Sequence, residues 1–338
     1  MHSGIQEHDG GVARYYRSDT QANAPVSTEI TGYAATALAY LHARTGKQEF
    51  LDAAIGAARY LTHRVWDARA STFPFEPESG RAYFFDVGII VRGLMAVWRA
   101  TAEEEFRARA QEAALSLAFD FLGDGMFHPV ISLPEKQPLP EEPRWSRQPG
   151  CYQLKSALAW RDAGGEQGCR IFESLLTQAL ATHERFLSAE TDLEKLMDRL
   201  HAYCYFLEAL LFQADRAEVR TQMGAGITRV GTLLREIAPV FERSDVNAQL
   251  LRVRLIAHHL GAVPLDEAAA REEAVRILSF QETEASDYRI RGGFWFGRKA
   301  AQTLPFSNPV STAFCLQALA LWQDHQADEW RFELPQLI

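Results

Sequence analysis

The chain has no run of lysine and arginine, no hydrophobic stretch long enough to cross a bilayer as a helix, and only four cysteines in 338 residues. Each absence narrows the field. Thirty-five basic side chains stand against 44 acidic ones, a formal net charge of -9 at pH 7. Such a surface repels a polyanionic backbone or an anionic membrane unless a basic patch is set into it, so nucleic acid is not an expected partner. No segment approaches the ~20 apolar residues of a helical span, so no membrane span is expected. The opening residues MHSGIQEHDGG lack a positive region followed by an apolar run, and a cytoplasmic location is expected.

Cys151, Cys169, Cys204 and Cys315 are widely spaced, mostly within apolar helical patterns where a thiol serves as a small hydrophobe. A zinc site would have to be drawn from Cys151, His201 and Cys204, around which there is no dense ligand motif. The phosphate-cradling Gly-x-x-x-x-Gly-Lys loop, the dinucleotide fingerprint and an aspartate-rich run are also missing. Neither a metal nor a cofactor is expected.

What is present is a repeat. The stretch from Pro25 to Gly46, PVSTEITGYAATALAYLHARTG, has an acidic, hydroxyl-rich head at Thr28, Glu29 and Thr31, a small apolar body and a glycine stop. Looser echoes align on Leu38, Leu94, Leu158, Leu210, Leu255 and Leu319, which lie 45 to 64 residues apart. A second helical stretch fills each interval, so the unit is a helix pair. The aligned segments are rich in Ala, Gly, Leu and Cys, as a helix enclosed by protein must be. The intervening ones are longer and more charged, as suits a rim helix with one apolar face.

The spacing predicts helices over about 28–43, 47–64, 84–101, 104–121, 151–163, 166–186, 191–211, 217–237, 245–259, 266–280 and 309–322. Thr101 with Glu104, and Thr191 with Glu194, have the spacing of capping boxes. Asn308 before Pro309 is an N-cap followed by a first-turn proline. Alternation at Phe294 and Phe296 suggests a short strand or hairpin. The division expected is an N-terminal arm over 1–24, one all-α domain over 25–323, and a tail over 324–338 packing on it. The tail is too polar and too short for a sixth outer helix, so six inner and about five outer helices are expected.

This order of elements resembles the six-hairpin α/α toroids of carbohydrate-active enzymes and, more loosely, the terpenoid-cyclase and prenyltransferase toroids. The phrase STEITGY, Ser27 to Tyr33, is similar to one in uncharacterised toroid proteins of bacterial polysaccharide gene clusters. The resemblance implies a cleft at one mouth, lined by the starts of the inner helices. There it would gather Glu29, Asp86, Gln153, His201, Asn247 and Thr312.

Glu29 and Asp86 are the only carboxylates in that set. Glycoside cleavage needs one protonated and one ionised carboxyl, and an apolar cleft can separate their pKa values. The plainer alternative is that both acids complement the amino ends of their helices. His201 could serve as acid or base. A deeper belt holds Arg92, Lys155, Glu208, Arg252 and Arg254. It is either a network of ion pairs or a surface for an anionic group, with Arg92 and Arg252 the better forks for one. Tyr33, Tyr203, Trp145 and Trp295 offer ring faces to a sugar, and Arg298 could reach an anion.

The expected function is a hydrolase or lyase acting on an oligosaccharide that contains acidic sugar. Glu29, Asp86 and His201 would be catalytic, and Tyr33, Arg92, Trp145, Gln153, Tyr203, Asn247, Arg252, Trp295 and Arg298 would bind substrate. The alternatives are a noncatalytic saccharide-binding or assembly protein, and a sugar epimerase, which calls for paired histidines where His201 alone is well placed.

Overall fold

A computed structural model describes residues 3–123, 125–188 and 190–338. Among them are eleven α-helices, and no helix is long and apolar enough to cross a membrane. The chain divides into two compact units. The first comprises Met1–Arg14, Ala24–Ala179 and Pro335–Ile338; the second comprises Tyr15–Asn23 and Leu180–Leu334.

The first unit contains α1 (Thr28–Thr45), α2 (Gln48–Tyr60), α3 (Phe84–Thr101), α4 (Glu104–Phe119), α5 (Gln153–Ala163) and the first part of α6 (Gly165–Ser188). Helix α3 packs on α1 and on α5. Every residue from Phe84 to Met95 is buried, which is what an enclosed helix requires. Two glycines permit the close approach. A Cβ on Gly88 would stand 2.5 Å from that of Ser156 on α5, and one on Gly93 would collide with the Gly32 carbonyl on α1. Helix α2, by contrast, buries only one stripe, at Ala54, Ala57, Ala58 and Tyr60. A short strand, Arg81–Tyr83, runs straight into α3 and pairs antiparallel with Val130–Ser132, Tyr83 opposite Val130.

The second unit continues with the end of α6, then α7 (Leu193–Leu210), α8 (Ala217–Ile237), α9 (Ser244–His259), α10 (Glu267–Leu278) and α11 (Pro309–Ala327). Helix α9 packs on α7 and α11, with α10 against its outer side. The strand Phe241–Arg243 leads into α9 and pairs with Gly297–Lys299, which pairs in turn with Gln302–Thr303. Tyr16–Arg17 pairs with both Ala22–Asn23 and Phe306–Ser307.

The expected helices are present, with revised ends. Gly46 adopts φ 69° and closes α1 by donating to the His42 carbonyl, and the Asn308 carboxamide accepts from the amides of Val310 and Ser311. Neither capping box forms. Thr101 is the last residue of α3, its hydroxyl donating to Val97, and Glu103 precedes α4. At α7 Asp192, nearer the helix than Thr191, accepts from the amides of Glu194 and Lys195. Helix α11 runs five residues beyond Trp322, to Ala327, because Asp324 and Trp322 are still buried there. The strand expected at Phe294 and Phe296 lies slightly later, at Gly297–Lys299.

Candidate functional site

Three inner helices of the first unit present their first turns with the segments leading into them. Ser27 caps α1, so Glu29 is left free of that duty. Glu29 is half-buried and Asp86 is 6% exposed. Among the described residues neither carboxyl receives a hydrogen bond, and Asp86 Oδ2 is fully enclosed. Burial raises the pKa of Glu29 to about 7 against the pull of Arg14. Burial, and then the neighbouring charge of Glu29, pushes Asp86 well above the usual carboxylate range, with Arg14 again opposing. The charge of Glu29 thus favours the protonated form of Asp86, and the two acids do not readily ionise together.

Around these heads lies a set of rings and guanidinium groups of which Trp145 alone was expected as a site residue. Thr28 donates its hydroxyl to the Phe75 carbonyl at 2.8 Å, which fixes the loop ahead of α3 at the start of α1. The Phe75 ring is 5.0 Å from that of Tyr83. Arg14 and Arg81 both sit over Phe75, at 5.1 and 5.3 Å, and Arg147 sits over Tyr83 at 5.6 Å. Trp145 stands edge-on to Tyr152 at 5.0 Å. The only local sequence signal was density, in the RYYR and RWSR phrases around Arg14 and Arg147. Arg81 lies in neither phrase. Gln153 is occupied by the loop before α5. Its carboxamide donates to the Phe127 carbonyl and accepts from the Gly150 amide. Tyr33, one turn past Glu29, is 2% exposed.

In the second unit His201 belongs to a separate polar cluster. Arg243 donates twice to Asp245, at 3.0 and 2.7 Å, and once to Asp198 at 2.7 Å. Ser311 donates to Asp245 at 3.2 Å. The His201 Nδ1 meets Gln249 Oε1 at 2.7 Å. Since a carboxamide oxygen can only accept, this nitrogen carries the proton and Nε2 keeps its lone pair. Burial first, and then Arg243, lowers the pKa of His201 to about 4, although Asp245 opposes. Burial works to raise Asp245, but Arg243, with His201 and Ser311, outweighs it and holds the carboxyl below its ordinary value. Asp245 and Gln249 were not singled out as site residues because their role depends on a histidine on another helix.

The other expected ligand-binding residues have protein partners. Arg92 donates to Asp162 at 3.2 Å and is 4% exposed. Arg252, wholly buried, bonds to Glu208 and to Gln317, its guanidinium 4.0 Å from the Phe314 ring centre. Arg254 pairs with Glu273, and Lys155 donates to the Ile338 carbonyl at 3.0 Å. Arg92, Arg252 and Arg254 thus stand in separate ion pairs, and Lys155 is held by a carbonyl. Tyr203 meets His183 through its hydroxyl at 2.8 Å. Asn247 donates to the Arg243 carbonyl. Thr312 accepts from the Phe294 amide. Trp295 donates to Glu282 at 3.3 Å, and Arg298 donates to the Ser279 hydroxyl at 3.1 Å. Among the described residues no group of three or more His, Cys, Asp or Glu is arranged to hold a metal ion.

No family model and no curated protein matches the chain in sequence. In structure it is similar to a cellobiose 2-epimerase from Spirochaeta thermophila, with TM-score 0.73 at 13% identity, covering 96% of this chain and 93% of that one. A sugar epimerase from a ruminal bacterium aligns with TM-score 0.71 at 11% identity over 94% of each chain. An alpha-mannanase from Bacteroides thetaiotaomicron aligns with TM-score 0.66 at 9% identity, over 96% and 94%. The fold is thus an α/α toroid of roughly six inner and five outer helices. The solved structures that share this fold include both epimerases and a mannanase.

Proposed function

We propose that the protein isomerises a saccharide by moving a proton at the carbon beside the carbonyl of the open-chain sugar, as in 2-epimerisation. Glu29 takes and returns that proton. The observation that carries this reading is the inequality of the two acids. Glycoside cleavage by a carboxyl pair requires both to touch the substrate from opposite sides of the bond, roughly 5 to 9.5 Å apart. Asp86 is 6% exposed with Oδ2 enclosed, so Glu29 alone keeps surface for a ligand. One accessible acid with a pKa of about 7 suits a proton taken and given back at neutral pH.

In that scheme the ionised Glu29 removes the proton from carbon 2, and the electron pair moves onto the carbonyl oxygen to give an enediolate. Return of the proton to carbon 2 after rotation about the bond between carbons 2 and 3 has turned the other face of the enediolate toward Glu29 yields the epimer; return to carbon 1, with the hydroxyl proton passing from oxygen 2 to oxygen 1, yields the ketose. No oxidation state changes overall. Asp86, protonated behind Glu29, adds no second negative charge that would oppose the enediolate. The likeness in fold to a cellobiose 2-epimerase and a sugar epimerase supports this reading over hydrolysis.

The test is incubation with reducing mono- and disaccharides in D2O, followed by NMR. Loss of the carbon-2 proton signal together with a new epimer or ketose is expected, and Glu29→Gln should slow it about 10²- to 10⁴-fold. Release of new reducing ends without exchange at carbon 2 would establish the hydrolytic reading instead. Saturable sugar binding with no chemistry would make the protein a binding module.

A further inference from the structure

Arg14, Arg81 and Arg147 form a positively charged layer over two neighbouring, mutually tilted rings, Phe75 and Tyr83, close to Glu29. Arg14 answers Glu76 at 3.1 Å, both side chains well exposed. Arg147 answers Glu142 at 2.6 Å through Nη2, while its Nη1 is buried without a hydrogen-bond partner. Arg81 makes no ion pair among the described residues and is held over Phe75 by the strand that leads into α3. A buried guanidinium N–H with no acceptor costs free energy that a bound oxygen would recover. The aromatic floor orients the planes of the forks without using up their donors, and planar forks favour the two oxygens of an anion. The layer is tied to the carboxyl pair by Thr28, which holds Phe75, and by Arg14, whose charge lowers both Glu29 and Asp86.

We propose that Arg81 and Arg147, with Arg14, bind an anionic substituent, a carboxylate or phosphate, on the saccharide whose carbon 2 meets Glu29. The inference rests on the reading of Glu29 given above and names the substrate class: an acidic or phosphorylated sugar. It moves the anion-binding role from Arg92 and Arg252, which have buried acidic partners, to guanidinium groups with donors to spare.

Equilibrium binding separates this from the isomerase reading, because it needs no turnover. The full chain would be titrated calorimetrically with glucuronate, glucose 6-phosphate, glucose and inorganic phosphate at low and high salt. One of the two charged sugars should bind at least about tenfold more tightly than glucose, with affinity falling as salt rises. The sugar preferred distinguishes carboxylate from phosphate. Arg81→Gln and Arg147→Gln should each lower that affinity toward the glucose value, Arg81→Lys should retain part of it, and Arg170→Gln on the surface should change nothing. Equal affinity for charged and neutral sugars, binding of inorganic phosphate alone, or full binding by both glutamine variants with native melting curves would overturn the proposal. Charged-sugar binding without exchange at carbon 2 would leave it standing and remove only the isomerase reading.

Discussion

Glu29 and Asp86 occupy the first turns of adjoining helices, and the charge of one raises the pKa of the other. No described group donates a hydrogen bond to the enclosed Asp86 Oδ2. A helix-capping acid would be held below its ordinary pKa by the N–H groups it accepts from; these two are driven above it.

Stability should therefore fall on the alkaline side. Glu29 titrates near 7 in the folded chain and near 4.5 when unconstrained, so the folded state holds the extra proton between those values. Stability from this group is complete below pH 4.5 and is lost as pH rises through 7. Glu29→Gln should recover up to about 3 kcal/mol at pH 8 and little at pH 4. Urea unfolding at both pH values measures this, and an equal effect at the two would count against a raised pKa.

His201 should act with the opposite slope. Its folded pKa of about 4 lies below the ordinary 6.5, so between these values the unfolded chain binds more protons. Its contribution is complete above pH 6.5 and lost as pH falls toward 4. His201→Asn should flatten the acid limb of a melting-temperature profile between pH 4.5 and 6.5. An unchanged limb would mean that the ring titrates normally.

The Arg252–Glu208 pair should be costly to break and much less costly to replace. Both side chains are fully buried. Glu208→Leu alone leaves a buried cation without its carboxylate and should cost about 3–5 kcal/mol. The double variant Glu208→Leu, Arg252→Met should restore much of that, as a double-mutant cycle in urea would show.

Two glycines should respond in opposite directions to one methyl group. Gly88→Ala places a Cβ 2.5 Å from Ser156 in the contact of α3 with α5 and should destabilise by about 1–3 kcal/mol. Gly224→Ala in α8 meets only the Val263 methyl groups at 3.9 Å and should stabilise by about 0.5–1 kcal/mol. Thermal melts of the pair make the comparison internal.

The helical frame was legible because its signals are local. Gly46 and Asn308 stop and start helices through contacts within four residues, and the small-residue register marks the enclosed helices. Glu29 and Asp86 could be placed at equivalent turns for the same reason. Partners far apart in sequence could not be read. Whether Arg252 meets a ligand or Glu208 depends on a partner 44 positions away, and nothing local ties Arg81 to Arg14. Asp245 showed only as the start of a helix because, Arg243 apart, its neighbours Ser311 and His201 come from distant parts of the chain.

The pairing of Tyr16–Arg17 with Phe306–Ser307 also bears on the order of events at the ribosome. Nearly 300 residues separate the two strands, and Tyr16 further bonds to Asp287 through its hydroxyl at 2.5 Å. At roughly 5–20 residues per second, the early strand waits on the order of a quarter of a minute to a minute for its mate to be synthesised. During that interval its edge is unsatisfied and its tyrosines are uncovered, so nascent chains stalled before residue 306 should be the ones that chaperones hold.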